Sequence, residues 1–260
     1  MYKILISDFE DTLLDEEDAI PLSTMLSLDN IRNQKVGYTV ISKKSFKTVL
    51  DYNKDFPFMD YIVLLDGSYV YDVNKDKPLF KRNIAISIIK KIYKVFEDYN
   101  LCFYTLDWCN YTKDRVQGDN VRKIGDFKVF SAFHKDNIFK VEIRCNKRID
   151  QTRALKELEE LNLDITYYAR NDEEKGYYIE IVMAECSRLD AITRICKARK
   201  CSLKEVVFVG GDDDNLPLLK KVGISFAVDN ASSKLKKNAN KTTVSNYDKA
   251  VETVIKGCFK

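Results

Sequence analysis

The chain opens with a short apolar run that ends in acids, Ile4-Leu5-Ile6-Ser7-Asp8, followed by Phe9-Glu10-Asp11-Thr12-Leu13-Leu14. An apolar run of this length, bounded by polar residues, reads as a buried strand of a parallel sheet. In such sheets ligands bind at the carboxyl ends of the strands, so Asp8 is placed for chemistry by the first strand itself. Near the other end of the chain, Glu205 to Val209 repeats the pattern and runs into Gly210-Gly211-Asp212-Asp213-Asp214-Asn215. Taken singly, acids at strand ends also serve as caps of turns and helices. Two such clusters, if their strands are neighbours, converge in one crevice and suit Mg²⁺, a hard cation that prefers carboxylate oxygens.

Between the two clusters the rhythm changes twice. Helix over Ser23–Asn33, strand over Gly37–Ser42, helix over Lys43–Tyr52 and strand over Asp60–Leu65 follow the first run. That alternation is the signature of a doubly wound parallel sheet. From about residue 80 the texture differs: a long amphipathic helix over Ile84–Tyr99, a strand at Leu101–Leu106, and a second helix over Asp150–Leu161. Ile138–Arg144 alternates apolar with charged residues, which predicts a strand with one wet face. Asp164–Ala169 and Tyr177–Met183 read as a hairpin around Asn171–Gly176. From Ser187 the α/β rhythm returns, with a helix to Lys200, a strand at Gly223–Val228 and a last helix over Asp248–Lys256. The fold class is therefore α/β, a Rossmann-like doubly wound parallel core built from both chain ends, with an inserted α+β module.

Composition narrows the chemistry. Charge is nearly balanced at +3, which argues against a dedicated nucleic-acid binder. No run approaches the ~18 apolar residues of a membrane span, and the first strand is too brief for a signal peptide. Seven cysteines without a CxxC pair fit neither a zinc site nor a disulfide framework, and point to a reducing cytoplasm. With His134 as its one histidine, an enzyme of this sequence must use carboxylates as its acids and bases.

Several stretches together carry a family likeness. They are Ile4 to Leu14, Ser42, Leu65-Asp66-Gly67-Ser68-Tyr69-Val70-Tyr71-Asp72, Ser187-Arg188 with Ala191, and Gly210 to Asn215 followed by Leu216-Pro217-Leu218-Leu219. With these the whole chain resembles the haloacid dehalogenase (HAD) superfamily of phosphohydrolases, in particular Cof-type sugar-phosphatase-like members with a cap inserted after the third strand. The resemblance implies a core of residues 1–80 and 187–260 and a cap of residues 81–186. It implies a two-step phosphoryl transfer in which Asp8 attacks phosphorus and Glu10 protonates the leaving alkoxide, then activates water. Mg²⁺ would be held by Asp8, the backbone carbonyl of Glu10, and Asp212. Thr12, Ser42, Lys43, Arg188 and Asn215 would face the phosphate. The implied substrate is a small, sugar-phosphate-like metabolite, met by a cytoplasmic monomer or homodimer without nucleic-acid or membrane partners.

Four motif positions depart from that family's pattern. Glu10 stands for an aspartate, Asp11 for a glycine, Lys43-Lys44 for Gly-Arg and Arg188 for a lysine. The G-D-x-x-N-D motif fits in two registers, one that puts Asp212 at the metal-binding aspartate and one that puts Gly211 there. Two functions follow: a Mg²⁺-dependent phosphatase of altered geometry, or a catalytically impaired HAD-fold protein that binds a phosphorylated ligand or partner.

Overall fold

The computed structural model describes residues 1–54, 56–118, 120–172 and 176–259. The chain divides into two compact units, Met1–Lys44 with Thr48–Phe80 and Ser187–Lys260, and Ser45–Lys47 with Lys81–Cys186.

The first unit carries an eight-stranded sheet. At its middle β1 (Ile4–Asp8) pairs in parallel with β2 (Gly37–Ser42) on one side and with the Val206–Gly210 strand on the other. Beyond β2 lies β3 (Tyr61–Leu64), also parallel, and beyond Val206–Gly210 lie the Ile224–Ala227 and Lys241–Thr242 strands. Every residue of β1, β2, β3 and the Val206–Gly210 strand is buried, as expected of parallel strands covered by helices on both faces. One face, with Ile4, Ile6, Val206 and Phe208, packs with Ala191, Ile192 and Ile195 of the Arg188–Ala198 helix and with Leu218, Leu219 and Leu235. The Leu22–Asn33 and Ala250–Cys258 helices lie against each other, and the latter against the Val206–Gly210 strand. Because Ser7 pairs with Val209 in parallel register, Asp8 and the Gly210–Asn215 loop leave the sheet at the same end.

Two boundaries differ from the sequence reading. Tyr69–Asp72 turns back antiparallel to β3, so the parallel part of the sheet ends at β3, with Lys77–Lys81 as the edge strand beyond Tyr69–Asp72. The helix expected from Lys43 begins at Phe46, because the amides of Lys43 and Lys44 point at the Glu10 carboxylate instead of opening a helix.

The second unit is a six-stranded sheet in the order Ile165–Asp172, Gly176–Met183, Lys140–Cys145, Asn100–Tyr104, Cys109–Tyr111, Val121–Lys123. All its pairings are antiparallel except the last. The turn of the expected hairpin, residues 173–175, lies outside the described residues. The first helix is shorter than its amphipathic pattern, Ile86–Val95, and a Phe127–Phe133 helix escaped the sequence reading altogether. The expected wet face is a correction. Lys140 and Glu142 are buried, because charges from neighbouring strands meet there: Lys140 lies 3.2 Å from Glu180 and 3.6 Å from Glu142, Arg144 pairs with Glu142, and Arg170 reaches Glu180 at 2.8 Å.

Candidate active site

The loop leaving β1 is a tight turn closed by the Leu14 amide, which donates to the Phe9 carbonyl at 3.1 Å. Within it Asp11 takes φ +53°, the left-handed region that glycine enters freely and Asp or Asn enter more readily than other residues. Two asparagines tie the turn to the C-terminal segments. Asn230 donates to the Asp11 carbonyl and Asn246 to the Leu14 carbonyl, each at 3.0 Å. On the adjacent strand, Gly210 leaves room for the Asp8 carboxylate, since a Cβ there would stand 2.3 Å from Asp8 Oδ2 and displace it.

Asp8 sits in a cage of donors. The Gly211 and Asp212 amides donate to Oδ2 at 3.0 and 3.2 Å, and Asn215 Nδ2 donates to both oxygens at 2.9 and 2.8 Å. Arg188 Nη1 lies 4.0 Å from Oδ1 and donates to Asn215 Oδ1 at 3.0 Å. Burial, helped by the neighbouring Asp212 charge, pushes the Asp8 carboxyl up to about 7, against the pull of Arg188 and the amide donors.

Arg188 is the hub of this arrangement, and two local features position it. Ser187 caps the helix that Arg188 starts, its Oγ accepting from the Asp190 amide at 3.1 Å. Gly67, at φ +91°, lets that helix start come close, for a Cβ there would stand 2.1 Å from the Ser187 carbonyl oxygen. The guanidinium then lies 2.9 Å from Asp212, 3.5 Å from Asp66 and 3.8 Å from Asp214. Lys43 adds a second cation, 2.6 Å from Asp212 and 3.8 Å from Asp214. Burial works to raise the Asp212 carboxyl, but Arg188 and Lys43 outweigh it and hold it well below the usual carboxylate range.

Glu10 and Ser42 meet, though not around an empty centre. Ser42 Oγ donates to Glu10 Oε1 at 2.5 Å, and the Lys43 and Lys44 amides donate to the same oxygen at 3.2 and 3.0 Å. Asp8, Glu10, Ser42, Lys43, Arg188 and Asp212 all line one crevice of about 530 Å³. Thr12 lies behind it, buried, its hydroxyl without a hydrogen-bond partner among the described residues. Asn215 is also fully buried and acts on the crevice through Asp8 and Arg188. Asp213 turns away to Ser232 and Lys234. Sequence reasoning missed Asp66 and Asn230. The Asp66-Gly67 turn pair after β3, at the same sheet end as Asp8, was the available signal for the first; for the second it was the Ala227-Val228-Asp229-Asn230-Ala231 stretch, which resembles the sequel of the family's fourth motif.

The donor set can be tested against a divalent cation. Four carboxylates (Asp8, Asp66, Asp212, Asp214) stand within 4.0 Å of Arg188, and the cations among them are Arg188 and Lys43. With Glu10 and Asp11 lining the same crevice, carboxylates outnumber these two cations, an excess of negative charge that favours a divalent cation. No three His, Cys, Asp or Glu side chains are gathered at one point among the described residues. A Mg²⁺ site built from one or two carboxylates, a carbonyl and waters needs no such group, so the residues fit the ion.

A caged strand-end aspartate, an acidic loop on the adjacent parallel strand and a buried arginine between them define a doubly wound α/β protein with an aspartate-centred crevice. The chain belongs to the haloacid dehalogenase-like hydrolases, whose family profile matches residues 5–255. It is 22% identical over 266 residues to a Haemophilus influenzae protein provisionally named a phosphatase, covering 100% of this chain and 99% of that protein. It is 18% identical over 270 residues to the Bacillus subtilis 5-amino-6-(5-phospho-D-ribitylamino)uracil phosphatase YitU, covering 98% and 97%. Among solved structures it superposes on a haloacid dehalogenase-like hydrolase from Bacteroides thetaiotaomicron with TM-score 0.81, at 17% identity over 100% of both chains. A HAD subclass IIB sugar phosphatase gives TM-score 0.78 at 13% identity over 98% of each. These structural likenesses establish the fold. No helix among the described residues is long and apolar enough to cross a membrane.

Proposed function

We propose that the chain is a phosphoric monoester hydrolase of small phosphorylated metabolites, with Asp8 as the phosphoryl acceptor. The observation that carries this reading is the setting of Asp8: a buried carboxylate at the end of the central strand, fixed by three amide groups and facing Arg188 across the crevice. Fixed donors orient the nucleophile before substrate arrives, and charge already in place stabilises a transferring phosphoryl without reorganisation. Asp8 attacks phosphorus and the ester oxygen leaves. Glu10, two residues along the same turn, donates the proton to that oxygen and later takes one from the water that hydrolyses the aspartyl phosphate. Arg188 and Lys43 face the phosphoryl oxygens. Mg²⁺ would be held by Asp8, the Glu10 carbonyl and Asp212, and when bound it neutralises charge on the phosphate. The substrate class, sugar-phosphate-like, follows the sugar phosphatase and the phosphoribityl phosphatase among the relatives. All seven cysteines are free thiols, which suits the cytoplasm.

The test is a panel of phosphomonoesters with and without Mg²⁺, run on wild type and Asp8→Asn together. Turnover that needs Mg²⁺ and drops by at least about 10³-fold in Asp8→Asn is the expected outcome. Absence of turnover across the panel, with phosphorylated ligands still raising the melting temperature, would instead establish the binding-protein alternative. The bond between Ser42 and Glu10 is the feature that favours that second reading.

A further inference from the structure

We propose that the Glu10 carboxylate is an internal occupant of the phosphoryl cradle, so that Glu10 sets how tightly this crevice takes a phosphoryl group. The inference rests on the phosphatase reading above and concerns a residue at which this chain carries Glu.

Three donors converge on one end of Glu10: Ser42 Oγ at 2.5 Å, the Lys44 amide at 3.0 Å and the Lys43 amide at 3.2 Å, with the Lys43 amide also 3.3 Å from the second oxygen. Successive backbone amides with a hydroxyl beside them make a concave nest for anionic oxygen. In this structure the nest holds the protein's own carboxylate. Each of those N–H and O–H groups has a single proton to give, so Glu10 and a phosphoryl oxygen cannot both be fully bonded there. Taking up a phosphoryl group is thus an exchange, and the apparent affinity falls by the fraction of time the cradle is open.

The extra methylene is what allows this. An aspartate at position 10 would end about 1.5 Å short of the cradle, roughly one C–C bond, and could not keep three contacts of this length from the same backbone position. The exchange also connects two roles. Glu10 displaced from the cradle is a carboxylate that has lost three donors, and it must take up a proton from solvent before it can give one to the leaving-group oxygen.

The experiment titrates inorganic phosphate into wild type, Glu10→Asp, Glu10→Ala and Asp11→Asn by calorimetry, with Mg²⁺ and with chelator. Phosphate should bind about tenfold tighter to both Glu10 variants, which corresponds to a cradle closed about nine-tenths of the time. Asp11→Asn, which removes a charge from the same crevice without opening the cradle, should change affinity less than about twofold. Glu10→Asp is decisive, because it empties the cradle while keeping the charge. Affinity in Glu10→Asp equal to or weaker than wild type overturns the inference. So does a gain in Asp11→Asn matching that in Glu10→Ala, which would assign the effect to charge alone. Phosphate binding to none of the four proteins, with or without Mg²⁺, overturns instead the phosphatase reading beneath it.

Discussion

At the scale of single residues, Asp8 couples stability to pH. Its carboxyl is raised from an ordinary 3.8 to about 7 by burial and by Asp212. The folded state therefore keeps the proton to higher pH than the unfolded chain does. Stability from this group is fully present below about pH 4 and is lost as pH rises through 7. Asp8→Asn removes the titration. In chelator-treated protein its stability relative to wild type should improve by roughly 3–4 kcal/mol between pH 4 and pH 8. The constant cost of turning an amide NH₂ toward donor groups shifts both ends of that comparison equally. Thermal or urea unfolding of the two proteins at both pH values reads it directly, and a difference independent of pH would contradict the burial argument. Asp8, Ser42 and Asp212 were legible in the sequence because residue type and strand position suffice to bring them to one sheet end, whereas Arg188, the first residue of a helix, was marked only by the family resemblance. The direction of Glu10 was not legible. It depends on which amides of the 42–44 loop are free to receive a carboxylate, and that is settled only when β1 and β2 are side by side.

Elements show a different limit. The alternation in Lys140–Cys145 correctly separates two faces, but says nothing of what covers the charged one. Adjacent strands supply Glu180 and Arg170, and Tyr104 and Tyr178 lie under Lys140 and Arg144 at 4.8 and 5.0 Å. A charge face closed this way is sensitive to the loss of one member, because the partners remain buried and uncompensated. Glu142, fully buried between Lys140 and Arg144, is that member. Glu142→Gln should destabilise the chain by about 3 kcal/mol in urea unfolding, whereas Glu159→Gln, exposed near the end of the Arg148–Glu160 helix, should stay within about 0.5 kcal/mol. Equal effects at the two positions would mean that the buried charges are solvated after all. The core strands were easier to read because parallel strands covered on both faces carry short apolar runs, such as Ile4–Ile6 and Val206–Val209.

For the whole molecule, the decisive fact is that the central strand pairs with a partner some two hundred residues away, Ile4 opposite Val206. Residues 1–80 contain Asp8 but leave one edge of β1 unpaired, and the acidic loop, Arg188 and the covering helix arrive only with residues 187–260. Long-range parallel pairing of this kind is costly in loop-closure entropy and forms late. The inserted unit is different. Its six strands pair among themselves within a nearly continuous stretch, and Leu101, Phe103, Val141, Ile143, Ala154, Leu158, Ile179 and Ile181 give it buried apolar residues of its own. At about a hundred residues it has the size of an independent domain. A fragment of residues 81–186 should therefore be monomeric in solution, show dispersed amide resonances and melt cooperatively. A fragment of residues 1–80 should lack a cooperative transition and aggregate through the open edge of β1. If the 81–186 fragment proves unfolded while the full chain melts in one step, the two units are a single cooperative structure, and the insertion contributes to the stability of the core that carries the site.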